Sequence, residues 1–147
     1  MIRTPKLCKA LERLVTHCGA VDGRTRILKL VYLTDKAWHA RHGEPYTEAH
    51  WFRWNHGPFA REVMSALEWM DGVEIVQRER SHSNGTLYTY LPGDRTRLSD
   101  VKLDPEFERL LLEAAKKWRD VPLQGLLKHV YADATFDSTV FGDPLLT

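Results

Sequence analysis

The sequence predicts a mainly α fold of the α+β class, a compact five-helix domain over residues 1–147 with one antiparallel β-hairpin. Three observations carry that expectation. Apolar residues recur at spacings of three and four along five stretches, the period of an amphipathic helix. Glycine or proline punctuates the ends of those stretches. Between the third and the fourth stand VEIVQRER and TLYTYL, runs rich in β-branched and aromatic residues, and between them Asn84–Gly85 suits a tight hairpin turn.

The first helix is expected between Thr4 and Cys18. Leu7, Leu11, Leu14, Val15 and Cys18 share a face, Pro5 is suited to the first helical position, and Gly19 stops the run. The second runs from about Arg24 to His42. It carries Ile27, Leu30, Val31, Thr34 and Trp38 on one face and Leu28, Tyr32 and Ala40 partly on another, and Gly43 closes it. So wide an apolar arc predicts a central helix touched on several sides. A connection beginning at Glu44-Pro45-Tyr46 leads to Gly57–Pro58, where Pro58 is expected to open a third helix burying Phe59, Val63, Ala66, Leu67 and Met70. Asp71–Gly72 ends that helix and the hairpin follows. Asp104-Pro105-Glu106 is a strong start for a fourth helix through Trp118, with Phe107, Leu110, Leu111, Ala114 and Trp118 as its stripe and Glu113 with Lys117 as an i, i+4 pair. A fifth opens at Pro122 and runs to about Tyr131. The remaining ADATFDSTVFGDPLLT reads as loop, with Phe136, Val140 and Phe141 packing part of it down.

Composition narrows the function classes. A chain of 147 residues that is 43% apolar and 28% charged has material for one domain to bury a core. Lys and Arg total 21 against 20 Asp and Glu, so the net charge of +1 steers the molecule toward no polyanion, and only a local basic patch remains open. Cys8 and Cys18 lie ten positions apart along one helix, beyond the ~4.4 to 6.8 Å Cα separation of a disulfide, and are expected as reduced thiols of a cytoplasmic protein. MIRTPKLCKALERLV is interrupted by charge and no stretch approaches ~18 apolar residues, so neither export nor a membrane span is expected.

The densest cluster of chemistry-bearing side chains is WFRWNHGPF at 51–59. Its expected role is a packed corner: Trp51, Phe52 and Phe59 bury area around a turn that Gly57 permits and Pro58 ends. Trp54 and His56 carry polar handles that bond across the corner or face a partner. His39, His42, His50 and His56 are close enough to raise a metal site, but their spacing fits no zincin or zinc-finger pattern and no metal is expected. Cys18 and His17 point about 100° apart as helix neighbours and make no nucleophile and base. GAVDGRTR lacks the lysine and the spacing of a phosphate loop, and Glu44, Glu48, Glu62 and Glu68 form no acid–base pair. No catalytic residue and no cofactor is expected. Trp69 and FGDPLL are either core or apolar patches that mark an interface.

Nucleic-acid binding is the second reading. Helices followed by a hairpin suggest a winged-helix module whose wing would carry Arg78, Arg80, His82, Arg95 and Arg97. Its recognition helix would be PFAREVMSALEWM, which offers Arg61, Glu62, Ser65 and Glu68, and the two carboxylates would be repelled by a phosphate backbone.

The run RILKLVYLTDKAWHARHGEPYTEAHWFRWNHGPFAREVMSAL resembles the core of the Panacea domain, the SocA/GepA-like antitoxin family of bacteria and their phages. The matching features are the helix signature Lys29, Leu30, Tyr32, Leu33, Asp35, Trp38 and His39, the helix end at Gly43 with Pro45 after it, the aromatic approach at Trp54, the Gly57–Pro58 turn and the amphipathic helix that follows. The likeness covers about residues 5 to 90. It implies a non-enzymatic antitoxin that binds and neutralises a cognate protein toxin, with delivery of the toxin to a cytosolic protease as one route, and it brings no catalytic residue with it. A toxin-binding surface is expected on the polar edges of the central helix and the corner, at Arg24, Lys36, His39, Arg41, Trp54, His56 and Arg61.

Overall fold

Helix α1 (Pro5–Cys18) turns Leu7, Leu11, Leu14 and Val15 into the interior and ends at Gly19 with φ 77, a backbone that favours glycine. The protein is described by a computed structural model covering residues 4–55, 57–82 and 85–147, without the side chains of His82, Ala134 and Thr135. Helix α2 (Arg24–His42) closes on Gly43, whose N–H donates to the His39 carbonyl at 2.8 Å. It packs against α1, against α4 (Pro105–Trp118) and against α5 (Leu123–Tyr131), as its wide apolar arc implies. Asp104 caps α4 by accepting from the Glu106 N–H at 2.8 Å. The buried row of α4 is Phe107, Leu111 and Ala115. Glu113 pairs with Arg109 at 3.1 Å rather than with Lys117, an exposed contact of small worth.

Two three-stranded antiparallel sheets complete the fold. In the first, β4 (Ile75–His82) pairs with β5 (Gly85–Pro92) along its whole length, from Ile75 opposite Pro92 to His82 opposite Gly85, and β1 (Val21–Asp22) joins the other side of β5. This is the expected hairpin; Ser83 and Asn84 lie outside the described residues. The second sheet replaces the expected helix corner. Here β2 (Trp51–Trp54) pairs with β3 (Gly57–Phe59) on one side and β6 (Pro144–Leu145) on the other.

The expected third helix therefore starts three residues late, as α3 (Arg61–Met70). Pro58 fits either role, because the missing N–H that suits a first helical turn is equally harmless on an edge strand, and β3 is an edge. The segment read as loop also contains structure: Asp133 caps the short helix α6 (Ala134–Ser138) by accepting from the Phe136 N–H at 3.1 Å, and β6 follows. Six helices and two small sheets thus stand where five helices and one hairpin were expected, among the described residues. None of the described helices is long and apolar enough to cross a membrane.

Two charged side chains of α2 are buried with the core. Asp35, fully buried, accepts from the Thr47 N–H at 3.1 Å, from the Thr47 hydroxyl and from Trp51 Nε1 at 2.9 Å, which ties the 44–50 connection and β2 to the central helix. Burial still pushes its carboxyl above the usual range. Lys29 is 1% exposed, and no described group accepts a hydrogen bond from its amine.

Candidate functional site

The β2–β3 hairpin sorts the aromatic cluster by strand alternation, since neighbouring side chains of a strand point to opposite faces. Trp51, 1% exposed, faces inward and meets the Tyr32 ring edge-on at 5.3 Å. Phe52 and Trp54 face outward at 36% and 47% exposure, and Phe59, directly opposite Phe52, joins them. Phe52 was expected in the core, and the correction follows from the strand. A helix corner could have buried consecutive aromatics, whereas a strand must put every second one outside.

Arg53, on the inward face with Trp51, holds the C-terminal segment in place. Its guanidinium donates to the carbonyls of Phe136 at 2.9 Å and Asp137 at 3.1 Å and lies over the Phe136 ring at 4.6 Å. Its backbone accepts from Gly142 at 2.8 Å and donates to Asp143 at 3.0 Å. The segment so anchored carries Phe141 against Trp54, rings stacked at 5.1 Å, while Trp54 also stacks on Phe59 at 6.1 Å. Phe136 is buried as expected. Val140 and Phe141, which precede the residues that bond to the β2 backbone, are exposed, 68% and 54%. The result is an outward aromatic shelf of Phe52, Trp54, Phe59 and Phe141, beside a cleft of about 490 Å³ walled by His50, Arg61 and Glu62.

Beneath the shelf the hairpin rests on Lys29. Gly57 has φ 105, a backbone that favours glycine, and a β-carbon there would come within 2.8 Å of Lys29 Cε and 2.9 Å of its Nζ, so the end of the lysine would have to shift. Burial pushes the Lys29 amine down to about 8. One turn along α2, the Tyr32 hydroxyl is buried with no hydrogen-bond partner among the described residues. At the cleft, burial raises the Glu62 carboxyl, but hydrogen bonds from His50, one of them 2.6 Å from Nδ1 to Oε2, outweigh it and hold the group below its ordinary range.

The expected toxin-binding residues do not share one surface. Trp54 and Arg61 meet at the shelf. His56 lies outside the described residues. His39 contacts the Thr147 carbonyl at 3.2 Å, Lys36 pairs with Asp133, and Arg41 reaches Glu106 at 3.2 Å. Arg24 sits on the other sheet with its guanidinium 4.0 Å from the Tyr88 ring centre. Among the histidines raised as ligands, His42 stacks on Trp38 at 3.8 Å and bonds to Glu106, and no group of three His, Cys, Asp or Glu among the described residues is placed to hold a metal ion.

On the wing, Arg78 and Arg80 are exposed, and the Arg95 guanidinium lies 3.8 Å from the Asp94 carboxylate. Arg97 is engaged elsewhere: it donates to the buried Glu74 at 2.8 Å and covers Trp69 at 3.5 Å, so Trp69 is no open patch and the guanidinium, although its side chain is 41% exposed, is already paired. The side chain of His82 lies outside the described residues.

A family model described as "Antitoxin SocA-like, Panacea domain" matches residues 27–134, well over half of the chain, from the first turn of α2 to just beyond α5. Comparison with curated proteins and with solved structures returned no match.

Proposed function

The chain belongs to the SocA-like Panacea-domain family of antitoxin-like proteins, and from that premise we propose that it binds and neutralises a cognate protein toxin through the aromatic shelf. One observation carries the choice of surface: Trp54 is half exposed although it lies stacked between Phe59 and Phe141, with Phe52 open beside it. A contiguous apolar patch held rigid by its own scaffold is what a protein interface uses for its anchors, with aromatic residues at the centre and charges at the rim. Arg61 and His50 supply such a rim. Neutralisation by this route is sequestration and asks for no turnover. Delivery of the captured toxin to a cytosolic protease would use the same contact.

The test is co-expression with the product of the neighbouring gene, scoring growth and co-purification for the wild type and for Trp54→Ala. Rescue with a stable complex, weakened by Trp54→Ala, supports the reading. Rescue without a complex moves it toward protease delivery or control of transcription through Arg78, Arg80 and Arg95. A neighbouring product that is harmless removes the antitoxin assignment.

A further inference from the structure

On the other side of Phe52 from Trp54 the shelf drops into a second cleft, of about 720 Å³, between the 44–50 connection, the first turn of α3 and β6. Its floor is apolar: Trp51, Ala49, Leu145 and Leu146 are all buried. Its walls carry Glu44, Glu48 and Glu62, with no Lys or Arg among the described lining residues. Lys6, which is not among the lining residues, reaches Glu48 at 3.7 Å, the two side chains 45% and 64% exposed, and Glu44 is exposed and pairs with no described cation. The chain as a whole has a net charge of +1, so this local excess of carboxylates does not follow from its composition.

Backbone conformation singles out the same place. Glu48, at φ 65, and Leu146, at φ 55, are the non-glycine residues with left-handed backbone among those described, and both line this cleft. Conformations of that kind persist where the surroundings over-determine them, and they gather at ligand clamps.

We propose that the cleft receives a cationic amphipathic segment of the toxin, its apolar side chains on Phe52, Leu145 and Leu146 and its Lys or Arg groups against Glu44 and Glu48. The inference rests on the antitoxin reading above and adds the chemistry of the partner. A purely apolar segment would strip water from Glu44 and leave it unpaired, and an acidic segment or a nucleic acid would be repelled. A segment that combines both characters satisfies floor and walls together. The cleft shares His50, Phe52 and Glu62 with the cleft beside the shelf, so one partner can occupy both.

The experiment compares binding of the neighbouring-gene toxin to the wild type, to the Glu44→Gln/Glu48→Gln double variant and to Trp54→Ala, each at low and high salt. Glutamine keeps the shape of two side chains that lie in water, so the double variant retains the fold. The expected result is about tenfold weaker binding by the double variant at low salt, a loss that shrinks at high salt, where the wild type is itself weakened. Trp54→Ala is weakened at both. Unchanged binding by the double variant overturns the cationic-segment inference and leaves the shelf standing if Trp54→Ala still fails; unchanged binding by all variants overturns the shelf as well. A short leucine–lysine peptide of helical periodicity probes the cleft without the toxin. It is expected to bind the wild type and not the double variant, and equal binding of the matching leucine–glutamate peptide overturns the proposal.

Discussion

Trp51 Nε1 donates to Asp35 Oδ2 at 2.9 Å, joining the middle of the central helix to the first residue of the strand that displays Phe52 and Trp54. The same carboxylate takes the N–H and the hydroxyl of Thr47. Asp35→Ala strands these donors in the core and is expected to destabilise the protein by about 3 kcal/mol or more, a figure set by the loss of one member of a buried charged network. Trp51→Phe removes a single donor and should lose about 1 to 3 kcal/mol. Urea unfolding of both variants checks the order; equal and small losses would mean that the network does not anchor the hairpin.

Lys29 sets a pH dependence. Its amine is lowered from 10.5 to about 8 in the folded chain, so between those values the unfolded state binds more protons and this group makes stability rise with pH. The Cys8 thiol, raised by burial to about 11, acts in the opposite sense above pH 9, so the comparison must be made between variants. Lys29→Met is expected to be more stable than the wild type at pH 7, by on the order of 2 to 3 kcal/mol, and the gap should close toward pH 10. A gap independent of pH would show that the buried amine is already neutral, or is paired.

Gly57→Ala is expected to lose about 1 to 2 kcal/mol, because the backbone stays at positive φ and the new methyl displaces the end of Lys29, whose Cε and Nζ lie below 3 Å from it. Combined with Lys29→Ala the methyl gains room. The double variant should therefore be more stable than the sum of the single losses implies. Simple additivity in thermal unfolding would show that the lysine does not set the glycine requirement.

Glu48→Gly removes a β-carbon from left-handed backbone and is expected to stabilise the fold by up to about 1 kcal/mol while weakening toxin binding. A variant that loses stability instead would show that the 44–50 connection rests on the Glu48 side chain.

Where structure is specified locally, the sequence already reveals it. Asp104-Pro105 caps α4, Gly43 ends α2, and the breadth of apolar positions on α2 marks it as central, because each of these signals acts within a few residues. The second sheet was hidden for the opposite reason. Its strands of four, three and two residues are too short to display a period, and β6 finds β2 from more than ninety positions away. Pro58 signals helix start and strand edge alike, so the aromatic run reads as a corner and nothing in it shows that Phe52 is exposed. Phe141 was recognised only as a residue that packs, since nothing local tells that Arg53 pins its segment beside Trp54. Nothing local marks Asp35 and Lys29 as buried, and Arg97 reads as a wing cation until Glu74, 23 positions away, is found beneath it.

The central claim, that a rigid aromatic shelf on the β2–β3 hairpin captures the toxin, is tested most directly by the affinity of Trp54→Ala for the neighbouring-gene toxin, measured alongside its thermal stability. Trp54 is half exposed, so the account predicts near wild-type stability with binding weakened by about 2 kcal/mol, roughly thirtyfold. Wild-type affinity in a fully folded Trp54→Ala protein would contradict it and move the binding surface away from the hairpin.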